Sequence, residues 1–292
     1  MADFTKEYEK YHSEFESALG KFCSELKCKP EILEKSLKYS LTLGGKRVRP
    51  VLALATAEML GVPQADIMNF ALAIELIHTY SLIHDDLPAM DNDDFRRGKP
   101  SNHKVFGEGN AVLAGDGLLN TAYSVLLKEC FKGETRISAA SYICDCAGIN
   151  GMIAGQSADL LYENESCVEE DALIFIHENK TAKLIQAPVV AASILSGGKY
   201  YSELKSFSKT LGYLFQLTDD ILDVEGTFEG MGKSIGKDGK YGKYSGVKLL
   251  GLDGCKLKAD MLGESCKKYL EGMKCNTSFL YDFVDFVKNR RK

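Results

Sequence analysis

Tryptophan is absent from the 292-residue chain, and proline occurs only six times, never beyond Pro188. So few helix breakers exclude a chain of short strands and frequent turns. A basic excess is also missing: 36 Lys+Arg stand against 41 Asp+Glu, a net charge of −5. That excludes a general nucleic-acid binder, whose footprint is strongly positive. The longest uncharged apolar stretch, Ala187 to Gly198, falls short of the about 20 residues a bilayer span takes, so no transmembrane segment is expected. The first residues mix acids and bases around no apolar run, which predicts no secretory peptide and a cytoplasmic protein. Low-complexity linkers and fixed-period repeats are lacking too. The nine cysteines have neither zinc-finger nor thioredoxin spacing, which predicts free thiols, mostly buried. With 45% hydrophobic residues the chain is not disordered.

What is present is helical periodicity. Between Asp66 and Asp85, the residues Leu72, Leu76, Thr79 and Ile83 recur at steps of four, three and four. Similar runs cover Val51–Leu60, Ala111–Leu127, Glu170–Gln186, Tyr201–Asp223, Cys255–Tyr269 and Phe279–Lys288. Strand-type alternation is nearly absent. The expected fold is all-α, one domain over 1–292, with several helices apolar on more than one face and therefore central. Gly226–Gly246, with seven glycines and little apolar content, reads as a loop over something.

Two acidic clusters carry the chemistry. His84-Asp85-Asp86-Leu87-Pro88-Ala89-Met90-Asp91-Asn92-Asp93-Asp94 holds five carboxylates within ten residues, after an apolar helix that Pro88 should end or kink. Gln216-Leu217-Thr218-Asp219-Asp220-Ile221-Leu222-Asp223 closes a second apolar helix, with Asp219 and Asp223 on one face. Crowded carboxylates at the negative end of a helix dipole repel one another. A divalent cation with all-oxygen ligands, Mg²⁺ or Ca²⁺, removes that conflict. A single Asp-Asp pair is usually a solvated helix end, but two such clusters are not. A calcium loop counted from Asp91 fails, because its sixth position is Arg96 instead of glycine.

Cations gather as well. Gly44-Gly45-Lys46-Arg47-Val48-Arg49-Pro50 places three at a loop-to-helix junction suited to phosphate. Arg96 and Arg97 follow the first acidic cluster, Lys180-Thr181 sits in a helical run that Pro188 should end, and Lys233 and Lys243 fall in the glycine-rich loop. Together these imply two phosphorylated ligands, one bridged by metal and one held by cations alone. Thr227–Ser234 ends Gly-Lys-Ser but lacks the first Walker A glycine, and Val112 replaces the third glycine of a dinucleotide pattern. His78, two turns before Asp85, is the histidine given a functional weight; His12, His103 and His177 read as surface or core polar residues.

These motifs, in this order, resemble the trans-prenyl diphosphate synthases, most closely the bacterial farnesyl diphosphate branch, over nearly the whole chain. The likeness rests on Gly44–Pro50, Asp85-Asp86-x4-Asp91 with Arg96-Arg97-Gly98, Lys180-Thr181, and Phe215-Gln216 ahead of Asp219-Asp220-x2-Asp223. It implies an all-α isoprenoid synthase bundle around a deep central cavity, forming a homodimer. It also implies that Asp85, Asp91 and Asp219, supported by Asp86, Asp220 and Asp223, hold three Mg²⁺ ions (Mn²⁺ able to substitute) on an allylic diphosphate. Arg96, Lys180 and Lys233 would complete that site. Isopentenyl diphosphate would lie beside it, on Lys46, Arg49, His78 and Arg97, with Thr181 and Gln216 lining the gap where the carbon–carbon bond forms. Lys243 departs from the family run, being followed by Tyr244-Ser245-Gly246, which loosens its expected substrate role. The resemblance also assigns product length to Tyr80 and Ser81, five and four residues before Asp85, and implies a C15 product. C20 and C10 products, a terpene cyclase and a non-catalytic subunit are the alternatives. Asp223, standing where a cyclase requires Ser/Thr, and two intact acidic clusters speak against the last two.

Overall fold

The structure, a computed structural model, describes residues 2–163, 169–225 and 245–290. Lys233, Lys243 and nearly all of the glycine-rich loop lie outside the described residues. The helices are α1 (Ala2–Glu25), α2 (Glu31–Leu41), α3 (Val48–Leu60), α4 (Gln64–Asp85), α5 (Asn102–Phe106), α6 (Glu108–Cys130), α7 (Glu134–Ala147), α8 (Met152–Leu161), α9 (Glu170–Ile176), α10 (Lys183–Leu195), α11 (Tyr201–Glu225), α12 (Gly246–Glu271) and α13 (Ser278–Lys288). The all-α expectation holds.

Burial explains the arrangement. On α4, Ile67, Phe70, Ile74, Leu76 and Ile77 are wholly buried, so this helix is apolar around its circumference and sits inside the bundle. It packs chiefly on α6 and α3, while α11 lies along α12 and α10 contacts α3, α7 and α11. One continuous apolar core runs from Phe4 of α1 to Val287 of α13. Each fully buried Leu, Ile or Phe contributes about 1.5–3 kcal/mol. Helix ends follow local chemistry. After α3, Gly61 takes φ 75°, its N–H bonds Glu58, and Val62 N–H bonds Ala57 at 2.8 Å, closing the last carbonyls.

Two departures from the expected helices bear on function. Phe95–Arg96 and Lys99–Pro100 form a two-stranded hairpin, β1–β2, paired Phe95 to Pro100 and Arg96 to Lys99. Its turn residues, Arg97 and Gly98, both have positive φ, 53° and 73°, as a tight hairpin turn requires. In addition, Pro188 does not end its helix. It lies inside α10, buried from Leu184 to Ser193, and that packing outweighs the lost backbone hydrogen bond. Ahead of α10 the chain widens into a π-helical segment, His177–Ala182, which carries Lys180 and Thr181.

Candidate active site

The acidic ends of α4 and α11 open into one cavity of about 960 Å³. Pro88 stops α4 and the following chain folds back, with Asp91 N–H bonding the Asp85 carbonyl at 2.8 Å and Asp93 N–H bonding that of Asp86 at 3.1 Å. This return brings Asp91 beside Asp85 although six residues separate them. Asp85, Asp91, Asp219, Asp220 and Asp223 all line the cavity. Asp86 does not: it is buried, and Arg96 Nε donates to its two oxygens at 3.0 and 3.2 Å. Burial pushes the Asp86 carboxyl up while Arg96 draws it down. Asp86 therefore anchors Arg96, which lines the cavity beside it.

The π-helical segment presents Lys180 and Thr181 to the same cavity. Lys180 Nζ donates to Asp159 at 2.6 Å. Burial pulls the Lys180 ammonium down, but Asp85, Asp159 and Asp91 together raise it above the ordinary lysine range, so it stays charged. Thr181 donates to Gln216 Oε1 at 2.7 Å, and Gln216 donates to Asp220 Oδ1 at 3.1 Å. Asp220 also accepts the Gly246 N–H at 2.7 Å. The second aspartate of that cluster is thus occupied in fixing α11 to the start of α12 and orienting Gln216.

Cations gather near His78. Arg49, His78 and Arg97 line the cavity; Lys46 is exposed on the loop before α3, which carries Arg49, but lies outside the lining. Arg49 is buried, and burial pushes its guanidinium down to about 10. Its Nε has no partner among the described residues, an unfilled donor that an anion would satisfy. Burial, followed by Arg49, Arg97, Arg96 and Arg47, holds His78 well below the usual histidine range, so its ring is neutral at pH 7. The hairpin turn aims the Arg97 guanidinium at the Gly44 carbonyl. It fills the space where a side chain at Gly45 would go, 2.7 Å from a built Cβ.

Four residues of this site carried no signal in the sequence. Gln156 of α8 donates to Asp85, and Asp159 binds Lys180. His177, expected as an ordinary polar residue, is buried in the wall with Nε2 3.4 Å from Asp220 Oδ2, and burial pushes it down to about 4. Arg290 donates to Asp219 at 2.8 Å and lies 3.8 Å over the Phe215 ring. Only packing brings these segments together. Gly155 is the tightest of those joints, since a Cβ there would meet Lys180 N at 2.1 Å. Gly155→Ala is expected to force α8 off the π-helical segment, costing about 1–3 kcal/mol of stability and reducing kcat. Thermal melting and steady-state kinetics check this, and an unchanged melting temperature would contradict it.

Among the described residues no three carboxylates, histidines or cysteines stand close enough to enclose an ion. Mg²⁺ keeps several waters and binds through one or two carboxylates plus substrate phosphate oxygens. The donors facing the cavity are hard carboxylate oxygens, as that ion prefers.

Residues 30–274 match the polyprenyl synthetase family. The chain belongs to that family. The farnesyl diphosphate synthase of Bacillus subtilis is 43% identical over 89% of this chain and 90% of its own length. A chloroplastic geranylgeranyl pyrophosphate synthase of Capsicum annuum is 45% identical over 83% of this chain and 67% of its own. A geranyltransferase of Helicobacter pylori, solved with magnesium and isoprenyl diphosphate, superposes with a TM-score of 0.83 at 32% identity, covering 99% of this chain and 96% of that one.

Proposed function

We propose that this prenyltransferase condenses isopentenyl diphosphate head to tail with dimethylallyl and then geranyl diphosphate, giving C15 farnesyl diphosphate. The observation that carries the reading is one cavity lined both by two acidic clusters and by Arg49, His78 and Arg97. Two diphosphates thereby receive different partners, one through metal and one through cations. A C20 product is the second reading, favoured by the geranylgeranyl relative. Asp85, Asp91, Asp219 and Asp223 would hold Mg²⁺, three ions in the full reading with Mn²⁺ able to replace them. When bound, Mg²⁺ neutralises the charge that grows on the leaving diphosphate.

The chain's own residues do the rest. Lys180, kept charged by its three aspartates, binds the allylic diphosphate, with Arg96 beside it. The Thr181–Gln216–Asp220 chain orients side-chain oxygens in the gap where positive carbon develops. Apolar wall residues, Leu119, Met152 and Phe215 among them, exclude water from that carbon. Of the described histidines in the wall, His177 is tied to Asp220 and His78 is hemmed by arginines. The released diphosphate takes the proton.

The reading includes one catalytic domain, a homodimer and a cytoplasmic location. The continuous core supports the first. Leu113, Leu127 and Phe131, exposed at 56, 62 and 91% along α6 and its end, support an association of copies there. Cys146, Cys255 and Cys266, buried as free thiols, suit a reducing compartment. No helix of the described residues is long and apolar enough to cross a membrane. Incubation with labelled isopentenyl diphosphate and each allylic substrate, followed by product chromatography, tests the whole reading; no elongated product would end it. The two cation sites should also separate by substrate. Arg49→Ala should mainly raise KM for isopentenyl diphosphate and Lys180→Ala mainly that for the allylic partner. Equal defects for both substrates in both variants would refute this division.

A further inference from the structure

The phosphate-type loop 44–47 is held from outside the cavity by α1, which precedes the segment matching the family. Three side chains at steps of four on α1 contact it. Tyr8 OH donates to the Lys46 carbonyl at 2.5 Å, and His12 Nε2 donates to the Gly45 carbonyl at 2.9 Å. Glu16 Oε1 accepts Arg47 Nε at 2.7 Å. Residues four apart share one helix face, so these form a single stripe. Arg47 completes the grip from the core side. Its side chain is wholly buried, donating also to Glu75 Oε1 at 2.8 Å and the Leu41 carbonyl at 2.7 Å. Arg47 has φ 47°, a left-handed conformation that costs a non-glycine residue energy and persists only where its surroundings impose it.

Peptide geometry gives the grip a direction. In a trans peptide the carbonyl and the following N–H point opposite ways. Binding the Gly45 and Lys46 carbonyls to α1 therefore turns the N–H groups of Lys46 and Arg47 away from α1. Successive N–H groups turned out of a loop with left-handed residues make a concavity for an anion. From Lys46 and Arg47 the chain leads within two residues to Arg49, whose buried guanidinium lines the cavity.

We infer that the Tyr8–His12–Glu16 stripe of α1 is a positioning device for the second diphosphate, setting the loop that carries Lys46 and leads into Arg49 of α3, without touching substrate. The inference rests on the proposed placing of isopentenyl diphosphate at that loop. Tyr8 and His12 suit a test. Tyr8→Phe keeps the ring among Phe4, Phe283 and Phe286, whose centroids lie 5.8, 6.2 and 5.2 Å away. His12 is half-buried and outside the apolar core, so its removal leaves no core void.

The experiment measures KM for isopentenyl diphosphate and for geranyl diphosphate separately, with kcat and melting temperature, in the full-length enzyme. The Tyr8→Phe/His12→Ala double variant should raise KM for isopentenyl diphosphate about tenfold, the scale of losing one or two ordinary hydrogen bonds. Its kcat and its KM for geranyl diphosphate should stay near the parent values. Tyr8→Phe with His12→Gln, which restores a donor near the Nε2 position, should recover most of the loss. Ser13→Ala, on the exposed side of α1, should change nothing. Arg49→Lys reports on the underlying reading: if it leaves KM for isopentenyl diphosphate unchanged, the substrate is misplaced and the inference falls with it. If Arg49→Lys raises that KM and the double variant does not, the α1 device alone is refuted. Equal defects toward both substrates, or a loss of kcat tracking a loss of melting temperature, would likewise overturn it in favour of a purely structural helix.

Discussion

Asp85→Ala and Asp219→Ala should each lower kcat/KM by about 10²–10³-fold or more while the protein stays folded, the range for losing one charge-stabilising partner of a transition state. Neither carboxylate sits in the apolar core. Asp85 faces the cavity and receives Gln156, and Asp219 is 44% exposed beside Arg290. Removing either leaves no buried cavity, so melting curves should move little. The two acids lie 134 residues apart in the sequence, on α4 and α11, and neither can replace the other. Chelation by EDTA should abolish turnover in the parent and addition of Mg²⁺ should restore it. In the variants, excess Mg²⁺ should recover only part of the rate, because the proposed role of the missing group is that of a ligand and not a general attractor of cations. Activity within about tenfold of the parent in either variant, or full turnover in EDTA, would show that charge on the leaving diphosphate is handled by Lys180 and the arginines alone.

Much of this site was legible because its chemistry is local. Each acidic cluster lies within a few residues of a helix end, so spacing alone predicted a metal-type site. The return of Asp91 to Asp85 needs only Pro88 and the short loop behind it. The cationic loop-to-helix junction 44–49 was equally readable, as was the helical character of 66–85 and 201–223. What could not be read was whatever depends on packing between distant segments. Gln156 and Asp159 reach Asp85 and Lys180 because Gly155 lets α8 approach the π-helical segment, and no pattern within 152–161 says so. Arg290 reaches Asp219 across some seventy residues of sequence. The hairpin carrying Arg96 and Arg97 has only two residues in each strand, below the length at which alternation can be detected. Pro188 misled for a different reason: intrinsic propensity argued for a helix end, and burial of the whole helix overrode it.

Replacing Tyr80 with alanine should shift the product from C15 to C20 or longer, read by chromatography of the reaction products. A helix rises about 1.5 Å per residue, so Tyr80 lies roughly 7.5 Å and Ser81 roughly 6 Å deeper than Asp85. An ideal wheel puts Ser81 and not Tyr80 on the Asp85 face, yet both line the cavity, which is wide enough to wrap part of the helix circumference. Ser81 is small and its hydroxyl is turned back to the His78 carbonyl at 2.9 Å, so it offers little obstruction. Tyr80 is 6% exposed and meets His84 edge-on, with ring centroids 5.7 Å apart. His84 in turn bonds the Val112 carbonyl at 3.0 Å, and its ring fills the space beside Gly115, where a Cβ would come within 2.0 Å of Nε2. The tyrosine ring therefore backs onto a side chain that cannot retreat, and an elongating tail cannot push it aside at small cost. Bulk and not the hydroxyl should matter: burial pushes that phenol up to about 12, so it stays neutral and supplies no charge. Tyr80→Phe is accordingly expected to keep the C15 product. If Tyr80→Ala also still stops at C15, the barrier lies beyond the ring, with Leu119 of α6 an apolar candidate on the cavity wall.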